Sequence, residues 1–158
     1  MADAGSPYPP LPLAWPVKGP YRITQEYGEN KSDYSKFGLL RHNGLDVAAK
    51  LGTPILAAHA GQVWAYFDEG GYGRTVEIWY PQRGRGALFK TIYAHLSITY
   101  AADFAWVNPG QIIGEMGTTG TSTGVHLHFG TKWLDGIVYG MRNWSDPRPY
   151  LPIRERYK

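Results

Sequence analysis

Five histidines stand in this chain of 158 residues, at 42, 59, 95, 126 and 128. Two of them flank a single leucine in His126-Leu127-His128. On an extended strand, residues i and i+2 project from the same face, so this pair can present two imidazoles to one point, with Leu127 turned the other way. Gly124 just before the pair leaves room for close approach. A second cluster lies in "RHNGLDVAA", where His42 and Asp46 are four residues apart. Asn43-Gly44 argues against a helix there and for a turn running into a strand, which can fold both side chains toward one point. A third element is "TIYAHLS", whose alternation places Tyr93 and His95 on one face at the end of a strand.

Each signal has a plain structural explanation, and together they define a chemistry. The chain has no cysteine, which excludes disulfides, thiolate metal knuckles and a cysteine nucleophile. Any metal must therefore sit on imidazole and carboxylate. A catalytic zinc takes three such ligands and keeps a fourth position open. His42, Asp46 and one of the paired histidines supply that set. The other paired histidine and His95 are then available for proton transfer and for stabilising a developing oxyanion.

The elements that must position these residues are short strands. Aromatic residues make up 15% of the chain, with 6 Trp and 12 Tyr beside 20 Gly and 12 Pro, a composition that favours strands and tight turns. "TPILAA", "GQVWAYFD", "RTVEIWY", "ALFKTIYAHL", "QIIGEMG" and "VHLHFGTKW" are rich in β-branched and aromatic residues. They are separated by turn sequences such as "EGGYG", "PQRGRG" and "VNPG". No stretch sustains a helical period, and Lys36 to Arg41 offers at most a helical turn. The expected fold class is all-β, mostly antiparallel sheets forming a barrel-sandwich-like core with short loops, because the connections are too short for crossover helices.

Three segments are expected. Residues 1–20 hold six of the prolines and read as an extended, Pro-rich extension lying over the surface, with Trp15 as its anchor. Residues 21–151 form the domain. Residues 152–158 are a tail, and the Pro-punctuated stretch leading into it shows no definable element. The hydrophobic fraction of 43% and charged fraction of 18% fit a folded domain. The net charge of +3 suits an anionic polymer without selecting one, and the absence of a basic cluster argues against nucleic acid. No apolar run is long enough to span a bilayer, and no signal peptide is recognisable at the start. A monomer is the favoured state.

With these residues in place, the sequence resembles the lysostaphin-type (LytM-type) zinc metalloendopeptidases. The family's H-x-G-x-D motif stands as His42-Asn43-Gly44-Leu45-Asp46, its H-x-H motif as His126-Leu127-His128, and its strand-end histidine as His95 in "YAHLS". The framework "GTPILAAHAGQV", "GGYG", "VNPGQIIGEMGTTGTSTG" and "DPRPYL" agrees with it over roughly residues 20 to 151. The resemblance implies one Zn2+ per chain held by His42, Asp46 and His128. It implies His95 and His126 as catalytic histidines, and Tyr72 at a position where some members stabilise the transition state. It also implies an enzyme that hydrolyses peptide bonds in bacterial peptidoglycan stem or cross-bridge peptides. Tyr66, Phe67 and Tyr72 are candidates to line the substrate groove.

Two departures from the family stand out. Gly130 follows "HLHF" where many relatives carry glutamate, and His59 replaces a small polar residue, with an expected structural or solvent-facing role. The alternative reading is a catalytically inactive module of the same fold that binds cell wall or regulates other hydrolases. Action at the cell wall, outside the membrane, fits an antimicrobial phage or prophage endolysin as well as a secreted enzyme whose leader is absent from the chain.

Overall fold

The computed structural model describes residues 11–134 and 143–152. Ten strands account for most of them: β1 (Arg22–Gln25), β2 (Leu45–Ala48), β3 (Pro54–Leu56), β4 (Gly61–Asp68), β5 (Gly73–Gln82), β6 (Arg85–Thr99), β7 (Trp106–Val107), β8 (Ile112–Met116), β9 (Leu127–Trp133) and β10 (Trp144–Ser145). Single 3₁₀ turns at Ser35–Phe37 and Arg148–Tyr150 are the only helical elements among the described residues. The fold is all-β, and every pairing is antiparallel. The strands run in the order β1-β2-β9-β6-β5-β4-β7, with β10 on β9 and β3 joined through β8 to β6.

β6 organises this arrangement. Its first part, Phe89 to Ala94, pairs with β9, and its last part, Leu96 to Thr99, pairs with β8. His95 lies at the change of partner. Across from it, Arg74 pairs with Leu96 while Val76 pairs with Tyr93. One extra residue is therefore inserted in β6, a β-bulge that bends the strand and lets it serve two partners. The core lies on one face of the β2-β9-β6 layer, where Leu45 opposes Phe129, Val47 opposes Leu127 and Phe129 opposes Tyr93; all five are fully buried. Asp46, His128 and Ala94 alternate onto the opposite face.

The segments flanking the domain are tied into it. Leu13 and Val17 belong to the core, the Leu13 amide donates to the Tyr150 carbonyl and the Ala14 amide to that of Ala58. Leu13 is thus the deepest anchor of the described N-terminal residues, while Trp15 packs on Tyr21 at a ring separation of 4.7 Å. The part of the Pro-rich extension before residue 11 and the tail beyond residue 152 lie outside the described residues. The Pro-punctuated closing stretch does contain structure: β10 pairs with β9 through Trp144 and Lys132, and Leu151 is fully buried. Two-residue pairing has no sequence period of its own, so alternation could not reveal it.

Both family departures have structural reasons. A Cβ at Gly130 would lie 2.7 Å from Ile92 Cγ2 and 2.9 Å from the Trp144 ring, so in this chain the indole occupies the space a side chain would need. His59 is 1% exposed and structural rather than solvent-facing. Its Nδ1–H donates to the Ala60 carbonyl at 2.7 Å, and its Nε2 lies 3.0 Å from Thr91 Oγ1. Burial pushes the His59 pKa down to about 4, against a smaller opposing effect of the Ala60 carbonyl.

Between that value and the unfolded pKa of about 6.5, the unfolded chain binds a proton that the folded chain refuses. Stability contributed by this group is therefore full above about pH 6.5 and is lost as pH falls toward 4. Denaturant unfolding across this window should show stability rising with pH in the wild type and a shallower rise in His59→Gln. The His59 contribution is at most about 3 kcal/mol, and equal slopes would contradict it.

Candidate metal centre and active site

Asp46 on β2 pairs directly with His128 on β9, and His42 reaches them from the turn before β2. Asp46 Oδ1 lies 3.0 Å from His42 Nε2 and 2.9 Å from His128 Nδ1, and the two nitrogens are 3.1 Å apart. The atom that His128 turns to this point is therefore Nδ1, while His42 turns Nε2 to it.

Neighbouring groups fix these orientations. His42 Nδ1–H donates to the Glu26 carbonyl at 2.8 Å, leaving Nε2 with its lone pair toward the cluster. The Glu26 carboxylate is in turn gripped by both Arg148 Nε, at 3.0 Å, and Nη2, which ties the closing segment to the ligand loop. The Tyr72 ring stacks on the His128 ring at 5.4 Å. A Cβ at Gly44 would come within 2.6 Å of the Phe129 carbonyl oxygen and 2.8 Å of His128 Nε2. The motif glycine is thus needed for clearance, more than as a turn former.

These three atoms form a group that could hold a metal ion. Ligands 2.0–2.1 Å from a tetrahedral zinc are about 3.3 Å apart, close to the observed triangle. The charge pattern agrees. Burial opposes ionisation of Asp46, but the neighbouring His128 and His42 override it and hold the carboxyl well below the usual range. Burial pushes the His128 pKa down, favouring the neutral ring that a ligand requires. His128 Nε2 is buried without a hydrogen-bond partner, so the tautomer of this ring is set by what lies at Nδ1.

His95 and His126 lie beside the triangle with ring centroids 4.7 Å apart. His126 Nε2 is 3.6 Å from Asp46 Oδ2, while its Nδ1 meets the Gly124 carbonyl at 2.8 Å. His95 Nδ1 meets the Thr119 carbonyl, also at 2.8 Å. Both rings thus carry Nδ1–H and leave Nε2 free for proton exchange. Burial, and then the charges of His128 and His126, push the His95 pKa down to about 4. The small-residue run "GTTGTSTG" supplies these carbonyls. At Gly120 the backbone adopts φ +72° and packs directly on Gly73, an approach that a side chain would block.

The sequence places His95 with Tyr93 on one face, and the structure corrects this. Tyr93 faces the core, where its hydroxyl accepts from the Ala58 amide. His95 has φ +63°, a left-handed conformation that costs a non-glycine residue about 1–2 kcal/mol. This residue is the inserted one of the bulge, and the insertion puts His95 on the face that carries His128, with ring centroids 6.2 Å apart. It also sits within β6 rather than at its end.

All five residues line one open cleft of about 600 Å³. Of the three aromatics expected along the groove, Tyr72 lines it. Tyr66 and Phe67 do not: the Tyr66 hydroxyl points to Glu77 and Phe67 lies under Arg74. Tyr34, Phe37 and Leu39 also line the cleft, from a stretch whose polar character masked its aromatic pair.

The comparisons agree with this geometry. The family model of Peptidase family M23 matches residues 40–139, and the chain belongs to that family of zinc metallopeptidases. It is 42% identical over 110 residues to the DD-carboxypeptidase/endopeptidase Mpg of Neisseria meningitidis, covering 70% of this chain and 24% of that protein. The chain thus spans about a quarter of the length of such curated relatives. Among solved structures, it is similar to the catalytic domain of lysostaphin from Staphylococcus simulans, with a TM-score of 0.68, 28% identity and coverage of 82% of this chain and 91% of that one. A zinc-containing peptidase from Vibrio cholerae matches with a TM-score of 0.68 and 27% identity, covering 91% of this chain and 41% of that one.

The backbone strain at His95 is directly measurable. His95→Gly should be more stable than His95→Ala by about 1 kcal/mol in denaturant unfolding, the reverse of the order expected at an ordinary strand position. An alanine variant equal to or more stable than the glycine variant would contradict the left-handed assignment.

Proposed function

We propose that this chain is a zinc-dependent endopeptidase that hydrolyses peptide bonds in the stem or cross-bridge peptides of bacterial peptidoglycan, acting at the cell wall. The observation that carries the reading is the convergence of His42 Nε2, Asp46 Oδ1 and His128 Nδ1 to 2.9–3.1 Å beside two further histidines in one cleft. His42, Asp46 and His128 would hold the ion. Zinc bound there supplies a Lewis acid that polarises the scissile carbonyl and makes a water acidic near neutral pH.

His95 and His126 both act on the attacking water. One accepts the proton of the attacking water at its Nε2, and the imidazolium so formed passes that proton to the leaving amine, while the other takes a hydrogen bond from the same water at its own Nε2. The carbonyls of Thr119 and Gly124 keep both rings in the required tautomer throughout. Tyr72, whose pKa burial raises to about 12, stays protonated and donates to the oxyanion that develops on the carbonyl. The substrate peptide lies extended along the cleft that Tyr34, Phe37, Thr121 and Thr123 line. Support for the wall peptide as substrate comes from the similarity to Mpg and lysostaphin, and the retention of all five residues favours catalysis over a purely binding module.

The test is incubation with peptidoglycan sacculi, with and without chelator, followed by mass spectrometry of new amino termini. Cleavage should be abolished by chelator and restored by zinc. His126→Ala should keep one zinc per chain yet cleave about 10²–10⁴-fold more slowly. A zinc-loaded wild type that leaves both sacculi and their soluble peptides intact would overturn the reading.

A further inference from the structure

Asn43 fills the variable position between the ligand His42 and the clearance glycine Gly44. As a sequence feature it marks only a turn. In the folded chain it is 2% exposed, and its side chain reaches into the site, where Nδ2 donates to the Tyr72 hydroxyl oxygen at 2.6 Å. A buried carboxamide is costly unless its hydrogen bonds are made, and an apolar residue would fill this place more cheaply if packing were the only need. We propose that Asn43 is a positioning residue that aims the Tyr72 hydroxyl at the reacting carbonyl; this rests on the reading of the chain as a peptidase.

Three contacts fix Tyr72, and each acts on a different part of the residue. The Tyr72 amide donates to Asp68 Oδ2 at 3.0 Å, and the His95 amide donates to the Tyr72 carbonyl at 2.8 Å. The ring lies nearly parallel to that of His128, at 28°. Backbone and ring plane are thereby set, but a phenol in this position still has a hydroxyl free to rotate about its C–O bond. The Asn43 amide resolves that freedom. By donating to the phenol oxygen it occupies one lone pair, so the phenol's own proton cannot be spent on Asn43 and turns toward the cleft. The hydroxyl becomes a directed donor with little reorganisation left to pay at the transition state. Because Asn43 is rigidly linked to His42, the same short segment places both a metal ligand and the orientation of the oxyanion donor.

A double-mutant cycle separates this role from mere support of the fold. Tyr72→Phe should lower kcat about 10–100-fold with KM little changed. Asn43→Ala should lower kcat about tenfold in the wild-type background but less than about twofold when Tyr72→Phe is already present, with one zinc still bound per chain. Equal losses in both backgrounds would overturn the proposal, as would a loss confined to KM. Should the alanine variant fail to fold, the isosteric Asn43→Asp goes through the same cycle, with the same outcomes deciding.

A second readout needs no cleavage, so it separates failure of this proposal from failure of the peptidase reading. Metal-free protein is labelled with 3-fluorotyrosine, and the Tyr72 signal is identified by its loss in Tyr72→Phe. That signal should shift and narrow when Asn43 is replaced, as the tether on the ring is released. A ¹⁹F spectrum of Tyr72 indifferent to residue 43 would overturn the proposal even if the enzyme is active.

Discussion

Three electron-rich atoms, His42 Nε2, Asp46 Oδ1 and His128 Nδ1, meet within 3.1 Å of one another in a nearly dry corner of the sheet, and much of the molecule serves that meeting. With neutral imidazoles presenting lone pairs beside a carboxylate, such a cluster repels itself unless a cation lies within it. The fold supplies the framework that holds it. The direct pairing of Asp46 with His128 across β2 and β9 fixes two members by strand register. The third is fixed by a chain that runs from Arg148 through the Glu26 carboxylate and carbonyl to His42 Nδ1. The closing segment thus acts on the centre without touching it.

The side of the site proposed for proton transfer depends on a second device, the bulge at His95. An undisturbed strand would send this residue into the core with Tyr93. One inserted residue in a left-handed conformation turns it to the cluster, and the same irregularity lets β6 pass from β9 to β8. The strain is local and the surroundings hold it, since the His95 amide donates to Tyr72 and its ring to Thr119. Strain of this kind, over-determined by neighbouring bonds, is concentrated at functional sites. The glycine and hydroxyl residues at 117–124 complete the device, because their backbone must come close enough to offer carbonyls to two imidazoles at once.

The ordered motifs and the strands around them were legible because they rest on local rules. Alternation and turn residues identified β4 to its ends and located β5, β6, β8 and β9, and the types and spacing of His42, Asp46, His126 and His128 named the ligand chemistry. What was not legible depends on contacts between distant segments. The turn to the face at His95 is set by the partner change of β6. The short strand β10 exists through its pairing with Lys132. Gly44 is needed for the ring of His128, more than eighty residues later in the chain, and Gly130 for the indole of Trp144. Tyr66 and Phe67 carried the same aromatic signal as Tyr72, and only the position of the β4–β5 turn separates them. Asn43 looked like half of an Asn-Gly turn until its partner came into view.

The claim on which the rest stands is that His42, Asp46 and His128 together form a single metal centre. Zinc should be titrated into metal-free protein and its ligands read by X-ray absorption, for the wild type and for His128→Ala. The account predicts one ion per wild-type chain, bound by two imidazole nitrogens and one carboxylate oxygen, and a large loss of affinity in the variant. Stoichiometric binding that survives His128→Ala with an unchanged ligand shell would place the metal elsewhere and contradict it.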